Sequence, residues 1–447
     1  MRLYHSTAFD FSHPVKSYWE ASAPPLGRDA PRLDANITAE FAIIGAGYTG
    51  LNAALRLVRR HGAKVVVLEA GQPGWGASGR NGGFCCDGSS KLSPAAMDRR
   101  FGSEATRIFY RAQRAAIDHV AELLETETID AQRSGSGSLL LAHKPNRVRQ
   151  LLQERDELAD QGEAALFLDR DELAQRGFAG PQFHAGLLTS EGFGLHPLKY
   201  CRGLARAAID AGVAIYGASP VTAWRQQAGQ HVLHTRHGNV QARKVLLATN
   251  GYSDEALPAW IKGRLLPALS RIIVTRPMSD TELAAQGWTS HVMAADTRNL
   301  LHYFRLLPDK RMMFGGRGGL DASPAGLARS SKTLRATFDA FFPAWRKVET
   351  EFSWSGFVCL ASGLTPYLGP IETMDDAWAA LAYHGNGVAM ASYSGAMAAD
   401  VMAGAAGYEE CVPAVMRAPL KRFPLSIARL TALRAAYAAF TVKDEWL

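Results

Sequence analysis

A run of glycines between a predicted strand and a predicted helix is the feature that most constrains this chain. Gly45, Gly47 and Gly50 follow an apolar strand pattern and lead into apolar residues at helical spacing. A second apolar strand pattern, residues 65–68, ends on Glu69, nineteen residues after Gly50. Strand, glycines, helix, strand and acid in this order are the fingerprint of a dinucleotide-binding unit. The sequence therefore predicts a Rossmann-like domain with a dinucleotide site.

Each part of this unit has a predicted role at the dinucleotide. Gly45 makes the tight turn, Gly47 lets the backbone approach a pyrophosphate, and Gly50 lets the helix pack against the strand. The helix N-terminus offers free N–H groups and a partial positive charge to the pyrophosphate. Glu69 would accept hydrogen bonds from a ribose hydroxyl. The predicted contacts of this unit are Gly45, Gly47, Tyr48, Thr49, Gly50, Glu69 and Ala70.

A glycine-rich loop, residues 71–84, follows the acid-bearing strand directly. Six of its fourteen residues are glycine, so its backbone can approach a flat ligand closely. Polar donors stand between these glycines and suit phosphate or ring oxygens. The predicted cofactor contacts of the loop are Ser78, Arg80, Asn81, Gly82 and Gly83.

Three later segments are predicted to complete the dinucleotide-binding domain. Val221 lies where a backbone amide and carbonyl could contact an adenine edge, and a buried strand from residue 244 runs into a turn of small residues. A second glycine-rich junction between strand and helix begins at Gly385 and suits the stabilisation of negative charge at a helix N-terminus. The predicted contacts in these segments are Val221, Ala248, Thr249, Gly251, Gly385, Asn386, Gly387 and Val388.

The rest of the chain predicts a second domain built on an antiparallel sheet. Residues 103–124 have a helical pattern, and residues 263–320 alternate between apolar and polar side chains as half-buried antiparallel strands do. On these strands His302, Tyr303 and Arg305 could face a ligand, or could form cross-strand pairs on a solvated sheet face. The predicted fold class is α/β (α+β), a Rossmann-like domain with a second, antiparallel-sheet domain. The predicted limits are 36–92, 195–262 and 351–410 for the dinucleotide-binding domain, 93–194 and 263–350 for the second domain, and 411–447 for a helical tail.

Composition narrows the class of protein. At 447 residues the chain exceeds a single ordinary core, so two domains are expected. It has no run of about 18 apolar residues and no apolar signal core, so we predict a cytoplasmic protein without a membrane span. Five cysteines without metal-like spacing predict no metal site. The net charge of +7 comes from scattered Lys and Arg, which favours a generally basic surface over a nucleic-acid site.

Both ends of the chain are predicted to pack against this body. Prolines in residues 1–35 predict extended backbone, and the cluster of Ser17, Tyr18 and Trp19 is expected to dock. Residues 418–440 carry a helical pattern, from which we expect a docked helix.

Taken together, these motifs resemble the FAD-dependent amine oxidases of the D-amino-acid oxidase and glycine oxidase group. The resemblance covers nearly the whole chain and is strongest to the γ-glutamylputrescine oxidases. The ASGRNGG string is its specific part, because many flavoproteins and NAD enzymes share the first glycine motif. The matching strings are GAGYTG at 45–50, ASGRNGG at 77–83, HPL at 196–198, YFRL at 303–306 and GNGV at 385–388.

This resemblance implies a cofactor and a reaction. It implies FAD, with its ring between the two domains and its phosphates on the glycine motifs. A neutral amine would transfer hydride from its α-carbon to the flavin, leaving an imine that water hydrolyses. Oxygen, giving hydrogen peroxide, or another acceptor would then take the electrons. The protein contributes orientation and electrostatics, and His302, Tyr303 and Arg305 are the predicted catalytic, substrate-side residues.

The chain departs from the family pattern at three positions. Gly76 stands where relatives that oxidise sarcosine or dimethylglycine carry a flavin-tethering histidine, so noncovalent FAD is expected, with Cys359 left as a candidate for a thioether link. Ala389 replaces the lysine that binds substrate carboxylate in sarcosine oxidases, and Asn386 replaces the usual histidine.

The sequence leaves several functions open. The first is oxidation of a γ-glutamylputrescine-like amine. The second is an oxidase or dehydrogenase of a cyclic or N-methyl amino acid, such as pipecolate or sarcosine, for which Arg305 could bind the carboxylate. A flavin-dependent tRNA-modifying module fits the basic pI, although the chain has no concentrated basic run. The last is a flavoprotein that binds FAD without turnover.

Overall fold

The computed structural model describes residues 3–26, 30–160 and 163–446. Residues 1–2 and 27–29 of the predicted leader and residue 447 of the predicted tail lie outside this part. The strands, in chain order, are β1 (Ile37–Ile44), β2 (Val65–Leu68), β3 (Phe84–Cys85), β4 (Ser138–Leu141), β5 (Ala165–Asp169), β6 (Ala185–Thr189), β7 (Phe193–Gly194), β8 (Ala214–Tyr216), β9 (Ala223–Gln227), β10 (Gln230–His234), β11 (Asn239–Leu247), β12 (Leu265–Thr275), β13 (Met293–Asp296), β14 (Tyr303–Leu306), β15 (Met312–Arg317), β16 (Thr350–Ala361), β17 (Tyr367–Pro370) and β18 (Ala377–Leu381).

Helices connect and cover these strands. They are α1 (Tyr18–Ser22), α2 (Tyr48–His61), α3 (Pro94–Phe101), α4 (Ser103–Thr126), α5 (Val148–Asp160), α6 (Arg170–Gln175), α7 (Pro197–Asp210), α8 (Asp280–Gln286), α9 (Pro324–Phe341), α10 (Gly387–Met402), α11 (Tyr408–Cys411), α12 (Ala414–Arg417) and α13 (Arg429–Glu445). Among the described residues, no helix is both long enough and apolar enough to cross a lipid bilayer.

The first sheet forms the core of the Rossmann-like domain. Its strand order is β17–β18–β11–β1–β2–β8, with β17 antiparallel at one edge and the other neighbours parallel. Strands β9 and β10 extend β11 as an antiparallel hairpin. Helices α2 and α10 pack tightly, because a Cβ at Gly395 would lie 2.2 Å from the carbonyl oxygen of Thr49.

The second sheet carries the other half of the fold. Its order is β16–β12–β15–β14–β13–β4–β6–β5, and all neighbours are antiparallel except β13 and β4. One face packs an aromatic core of Phe304, Phe314, Phe338 and Trp345 under α9. Because side chains alternate between faces along a strand, Tyr303 points away from this core.

The structure changes some predicted boundaries. The limit at residue 350/351 assigned β16 to the dinucleotide-binding domain, but β16 pairs along its length with β12 of the second sheet. By sheet membership, that boundary falls after Ala361. The buried strand predicted from residue 244 is the second half of a longer strand, β11, which keeps one register with β1 from Val240 to Leu247.

The two ends of the chain pack as predicted, although their local structure differs. The leader is not wholly extended: a 3-10 turn covers Ser6–Phe9, and α1 forms because the Ser17 side chain accepts from the Glu20 backbone N–H. Trp19, in α1, is 1% exposed, so the predicted docking of this cluster is confirmed. The tail helix α13 begins at Arg429, later than the predicted pattern.

Candidate active site

A cavity of about 800 Å³ is lined by residues of both sheets. The first sheet contributes Ile44 and Leu68, at the carboxyl ends of β1 and β2, and Ala248, just beyond β11. Ligands of open α/β sheets bind outside the carboxyl ends of the strands. The second sheet contributes Tyr303 of β14 and Arg317 of β15. The cavity therefore lies where a cofactor on one domain would meet a substrate on the other.

The first glycine motif is built as its sequence predicts. Gly45 has φ +111°, and a Cβ there would lie 2.8 Å from the Ala248 carbonyl oxygen. A Cβ at Gly50 would lie 1.9 Å from the Gly45 carbonyl oxygen, so only glycine lets α2 pack this closely. Gly47 is the N-cap of α2 and supplies no side-chain cap. The first turn of α2 consequently presents backbone N–H groups and the positive end of its dipole at the cavity. The first of these groups, the Tyr48 N–H, donates to Ser78 Oγ at 3.0 Å.

Glu69 lies at the end of β2 and lines the cavity. Its carboxylate oxygens accept from the backbone N–H groups of Ala46, at 2.8 Å, and Gly71, at 2.9 Å. Burial raises the pKa of this carboxyl, and the two backbone donors oppose that rise. The side chain thus ties the first glycine turn to the start of the glycine-rich loop.

Three consecutive carbonyl groups of the glycine-rich loop are held by side chains from distant parts of the chain. The Trp354 indole donates to the Arg80 carbonyl oxygen at 2.8 Å, and the Trp19 indole donates to that of Asn81 at 2.9 Å. The Arg305 guanidinium donates to the Gly82 carbonyl oxygen at 3.0 Å. These bonds fix the loop in one conformation before any ligand binds.

The second glycine junction also opens on the cavity. Asn386 is the N-cap of α10 but makes no side-chain cap, because its amide donates instead to the Asp87 carbonyl oxygen. His384 is 1% exposed, and neither ring nitrogen has a hydrogen-bond partner among the described residues. Burial lowers the pKa of His384 to about 4, so its ring is neutral at pH 7. The N-terminus of α10 is therefore a second uncapped, electropositive end at the cavity wall.

These features suit a large anionic cofactor with a flat ring. The cavity is reached by the N-termini of α2 and α10, by the glycine turn and by the half-buried Arg80. Arg80 Nη2 has no hydrogen-bond partner in the described chain. Among residues 3–26, 30–160 and 163–446, no cluster of His, Cys, Asp and Glu could hold a metal ion.

Most predicted cofactor residues line the cavity. Gly50 and Gly83 do not, because they serve backbone packing: Gly83 has φ +72°, and a Cβ there would lie 1.9 Å from the Leu195 carbonyl oxygen. The predicted residues on the cavity wall are Gly45, Gly47, Tyr48, Thr49, Glu69, Ala70, Ser78, Arg80, Asn81, Gly82, Val221, Ala248, Thr249, Gly251, Gly385, Asn386, Gly387 and Val388.

Arg305 and His302 are not on the cavity wall, which corrects their prediction as substrate-side residues. Arg305 is 1% exposed, and besides Gly82 its guanidinium donates to the Leu195 carbonyl oxygen at 2.5 Å and to Ser134 Oγ at 3.3 Å. The ring of His302 stacks on Phe314, and its Nδ1 lies 3.0 Å from Asp296 Oδ2. The polar groups of both side chains bind other residues of the protein and do not face the cavity.

Tyr303 is the predicted substrate-side residue that faces the cavity. Its ring packs against Gly315, where a Cβ would lie 2.2 Å from Cζ, and against Gly82, where a Cβ would lie 3.0 Å from Cε2. Its hydroxyl is 2.8 Å from Ser270 Oγ. Burial raises the pKa of Tyr303, so the phenol is neutral at pH 7. It spans the glycine-rich loop and the second sheet.

Sequence reasoning missed the charged residues on the substrate side of the cavity. Lys91 and Arg317 line it, together with four acids, Asp87, Glu154, Glu163 and Glu191. Arg317 directly follows Gly315 and Gly316, at the end of a predicted strand. This position was the only feature of the sequence that could have indicated Arg317 as a cavity residue. The others lie in segments without a motif, far apart in sequence.

Comparison with known proteins identifies the family. Residues 40–401 match the model of the DAO family, described as FAD dependent oxidoreductase. The chain belongs to this family. FAD is therefore its cofactor, and the protein is an FAD-dependent oxidoreductase of the DAO type that acts on an amine or amino acid.

Relatives and solved structures agree with this assignment. The chain is 28% identical to the γ-glutamylputrescine oxidoreductase of Escherichia coli over 436 residues, covering 96% of this chain and 98% of the relative. It is 30% identical to a probable oxidoreductase, OrdL, of Haemophilus influenzae, covering 82% and 83%. The fold is similar to glycine oxidase from Geobacillus kaustophilus, with a TM-score of 0.71, 20% identity, and coverage of 86% of this chain and 99% of that structure.

Proposed function

We propose that this enzyme oxidises the C–N bond of a γ-glutamylputrescine-like amine to an imine, with O2 as electron acceptor and hydrogen peroxide as product. The observation that carries the proposal is the shared cavity, in which the N-termini of α2 and α10 lie on one side and Tyr303 lies on the other. The Escherichia coli relative, named for this substrate and similar over nearly its whole length, supports the choice of amine. We further propose a cytoplasmic enzyme that binds FAD noncovalently and acts without nucleic acid.

Different residues of the chain would bind different parts of the cofactor. The α2 N-terminus, Ser78 and Arg80 would hold the phosphates, Glu69 the ribose, and the α10 N-terminus the pyrimidine edge of the ring, where negative charge develops. When bound, FAD supplies the acceptor for the hydride. The protein positions the amine and keeps its surroundings dry.

The substrate side is shaped for an aliphatic chain. Leu139, Leu187, Met293 and Leu301 line it and offer apolar surface to methylene groups. The neutral Tyr303 phenol, held by Ser270, is a fixed hydrogen-bonding group beside the glycine-rich loop. A rigid donor or acceptor at this place orients a substrate that otherwise makes apolar contacts.

Noncovalent binding rests on the position of Cys359. Its thiol lines the cavity but is 2% exposed, and burial raises its pKa. A thiol that stays protonated is a poor nucleophile for a thioether link.

An amine panel tests the proposal. Oxygen consumption and peroxide release would be measured with γ-glutamylputrescine, putrescine, sarcosine and pipecolate. We expect the highest kcat/KM with γ-glutamylputrescine and a loss of at least tenfold in Tyr303→Phe. Tyr110→Phe is the control, because Tyr110 is not on the cavity wall. Preference for pipecolate or sarcosine would replace the proposed substrate by a cyclic or N-methyl amino acid, and turnover only with an artificial acceptor would make the enzyme a dehydrogenase.

A further inference from the structure

Two cationic side chains on the cavity wall have no polar partner in the part of the chain that the structure describes. Neither Lys91 Nζ nor the Arg317 guanidinium makes a hydrogen bond or ion pair with any described residue. Lys91 is exposed and Arg317 is half-buried, and two neighbouring cations without a counter-charge repel each other, which costs free energy. An anionic ligand would remove that cost.

Arg317 belongs to the same surface as the substrate-facing tyrosine. It pairs in register with Ser270 across β12 and β15, and Ser270 Oγ shares a hydrogen bond with the Tyr303 hydroxyl. All three residues line the cavity. An anion bound by Arg317 would thus lie on the wall that carries Tyr303, on the second sheet and away from the phosphate-binding turn of the first.

Lys91 approaches from the segment after the glycine-rich loop. Its backbone N–H donates to the Leu364 carbonyl oxygen, which fixes this segment beside the cavity. Burial, and then the charge of Arg317, lower the pKa of Lys91 to about 8, while Cys86 and Asp87 oppose that shift. Lys91 is therefore mostly protonated at pH 7, and it makes no ion pair with Asp87.

We propose that Lys91 and Arg317 form an anion subsite that binds a carboxylate of the amine substrate. A guanidinium fork matches a carboxylate in a bidentate geometry, and a neighbouring ammonium adds a point charge. The subsite replaces Arg305, which the sequence had suggested for this role and which the structure places elsewhere.

The subsite narrows the substrate class, and this step rests on the proposed function. The enzyme would select amines that also carry a carboxylate, and would discriminate against simple diamines of similar length. Asp87, Glu154 and Glu191 on the same cavity leave it mixed in charge, which suits a substrate carrying both signs.

Ligand binding tests the subsite independently of turnover. Isothermal titration of the FAD-loaded enzyme with glutarate, a dicarboxylate without an amine, would be compared among wild type, Arg317→Gln and Lys91→Gln. Lys332→Gln is the control, because Lys332 is an exposed cation on α9. We expect Kd to rise at least tenfold in each cavity variant and to be unchanged in the control. Equal Kd values in all four proteins would overturn the subsite, and inorganic phosphate in a parallel titration would show whether the site prefers carboxylate.

Turnover then separates the subsite from the proposed function. In Arg317→Gln we expect KM for γ-glutamylputrescine to rise at least tenfold with kcat within about twofold, and KM for putrescine to be unchanged. Equal kcat/KM of the wild type for both amines would refute selection for a carboxylate while leaving an amine oxidase intact. Glutarate binding that depends on Arg317, without oxidation of any amine, would refute the proposed function and leave the anion subsite.

Discussion

Arg305→Lys distinguishes a structural role of this arginine from contact with substrate. The guanidinium holds the Gly82 and Leu195 carbonyl oxygens and Ser134 Oγ, and the side chain is 1% exposed. A lysine keeps the buried charge but not the fork, so we expect it to lose two of the three bonds. Hydrogen bonds to charged groups contribute about 1.5–3 kcal/mol each, which gives a destabilisation of about 4 kcal/mol.

This magnitude can be measured as a shift in Tm. With an unfolding entropy of about 2.1 cal/mol/K per residue, a 447-residue chain that unfolds as one unit would lose about 4 °C. Thermal unfolding followed by flavin fluorescence measures Tm and cofactor release together. Arg276→Lys is the control, because Arg276 pairs with Glu282 at the surface, where such pairs contribute about 0–1 kcal/mol. An unchanged Tm together with a tenfold rise in KM for the amine would show that Arg305 contacts substrate, and would refute this reasoning.

Three further predictions follow from the cavity. Because Lys91 has its pKa lowered to about 8, its positive charge is lost as pH rises through 8, so KM for a carboxylate-bearing amine should rise between pH 7 and pH 9, and Lys91→Gln should lack this rise. Acid precipitation should release all FAD into the supernatant, in wild type and in Cys359→Ser alike; flavin left on the wild-type pellet alone would indicate a thioether. Gly50→Ala should prevent FAD loading, since its Cβ would lie 1.9 Å from a carbonyl oxygen, whereas Gly387→Ala, with its nearest contact at 3.7 Å, should load normally.

The cofactor half of this protein was predictable because its chemistry depends on backbone. Gly45 and Gly50 are required by a turn and a close packing that no other residue allows, so their spacing encodes the geometry directly. The strand that follows these glycines ends on Glu69, which belongs to the same local strand–helix–strand unit. These contacts lie within about thirty residues of one another, and local sequence suffices to predict them.

The substrate half was not predictable, because tertiary contacts decide which side chains are free. Tyr303 and Arg305 are two residues apart on one strand, so their side chains lie on the same face. Only Tyr303 reaches the cavity, because the Arg305 guanidinium donates to the carbonyl oxygens of residues 82 and 195. Lys91 and Arg317 are 226 positions apart in the sequence, and only the folded chain brings both to the wall of one cavity. No periodicity in either segment signals that approach.

The sheet to which a strand belongs was equally hard to predict from the sequence. Strand β16 precedes the last cofactor segment and was predicted to join it, but it pairs with β12 of the other sheet. Alternating and continuous apolar patterns predict that a strand exists, whereas its partner is chosen by long-range register.

Anaerobic stopped-flow mixing of the FAD-loaded enzyme with γ-glutamylputrescine tests the central claim most directly. The account predicts rapid loss of the visible flavin absorbance, its recovery when oxygen is admitted, and one hydrogen peroxide released per cofactor. Unchanged absorbance at saturating γ-glutamylputrescine, in enzyme carrying a full complement of FAD, would contradict the claim that this cavity oxidises such an amine.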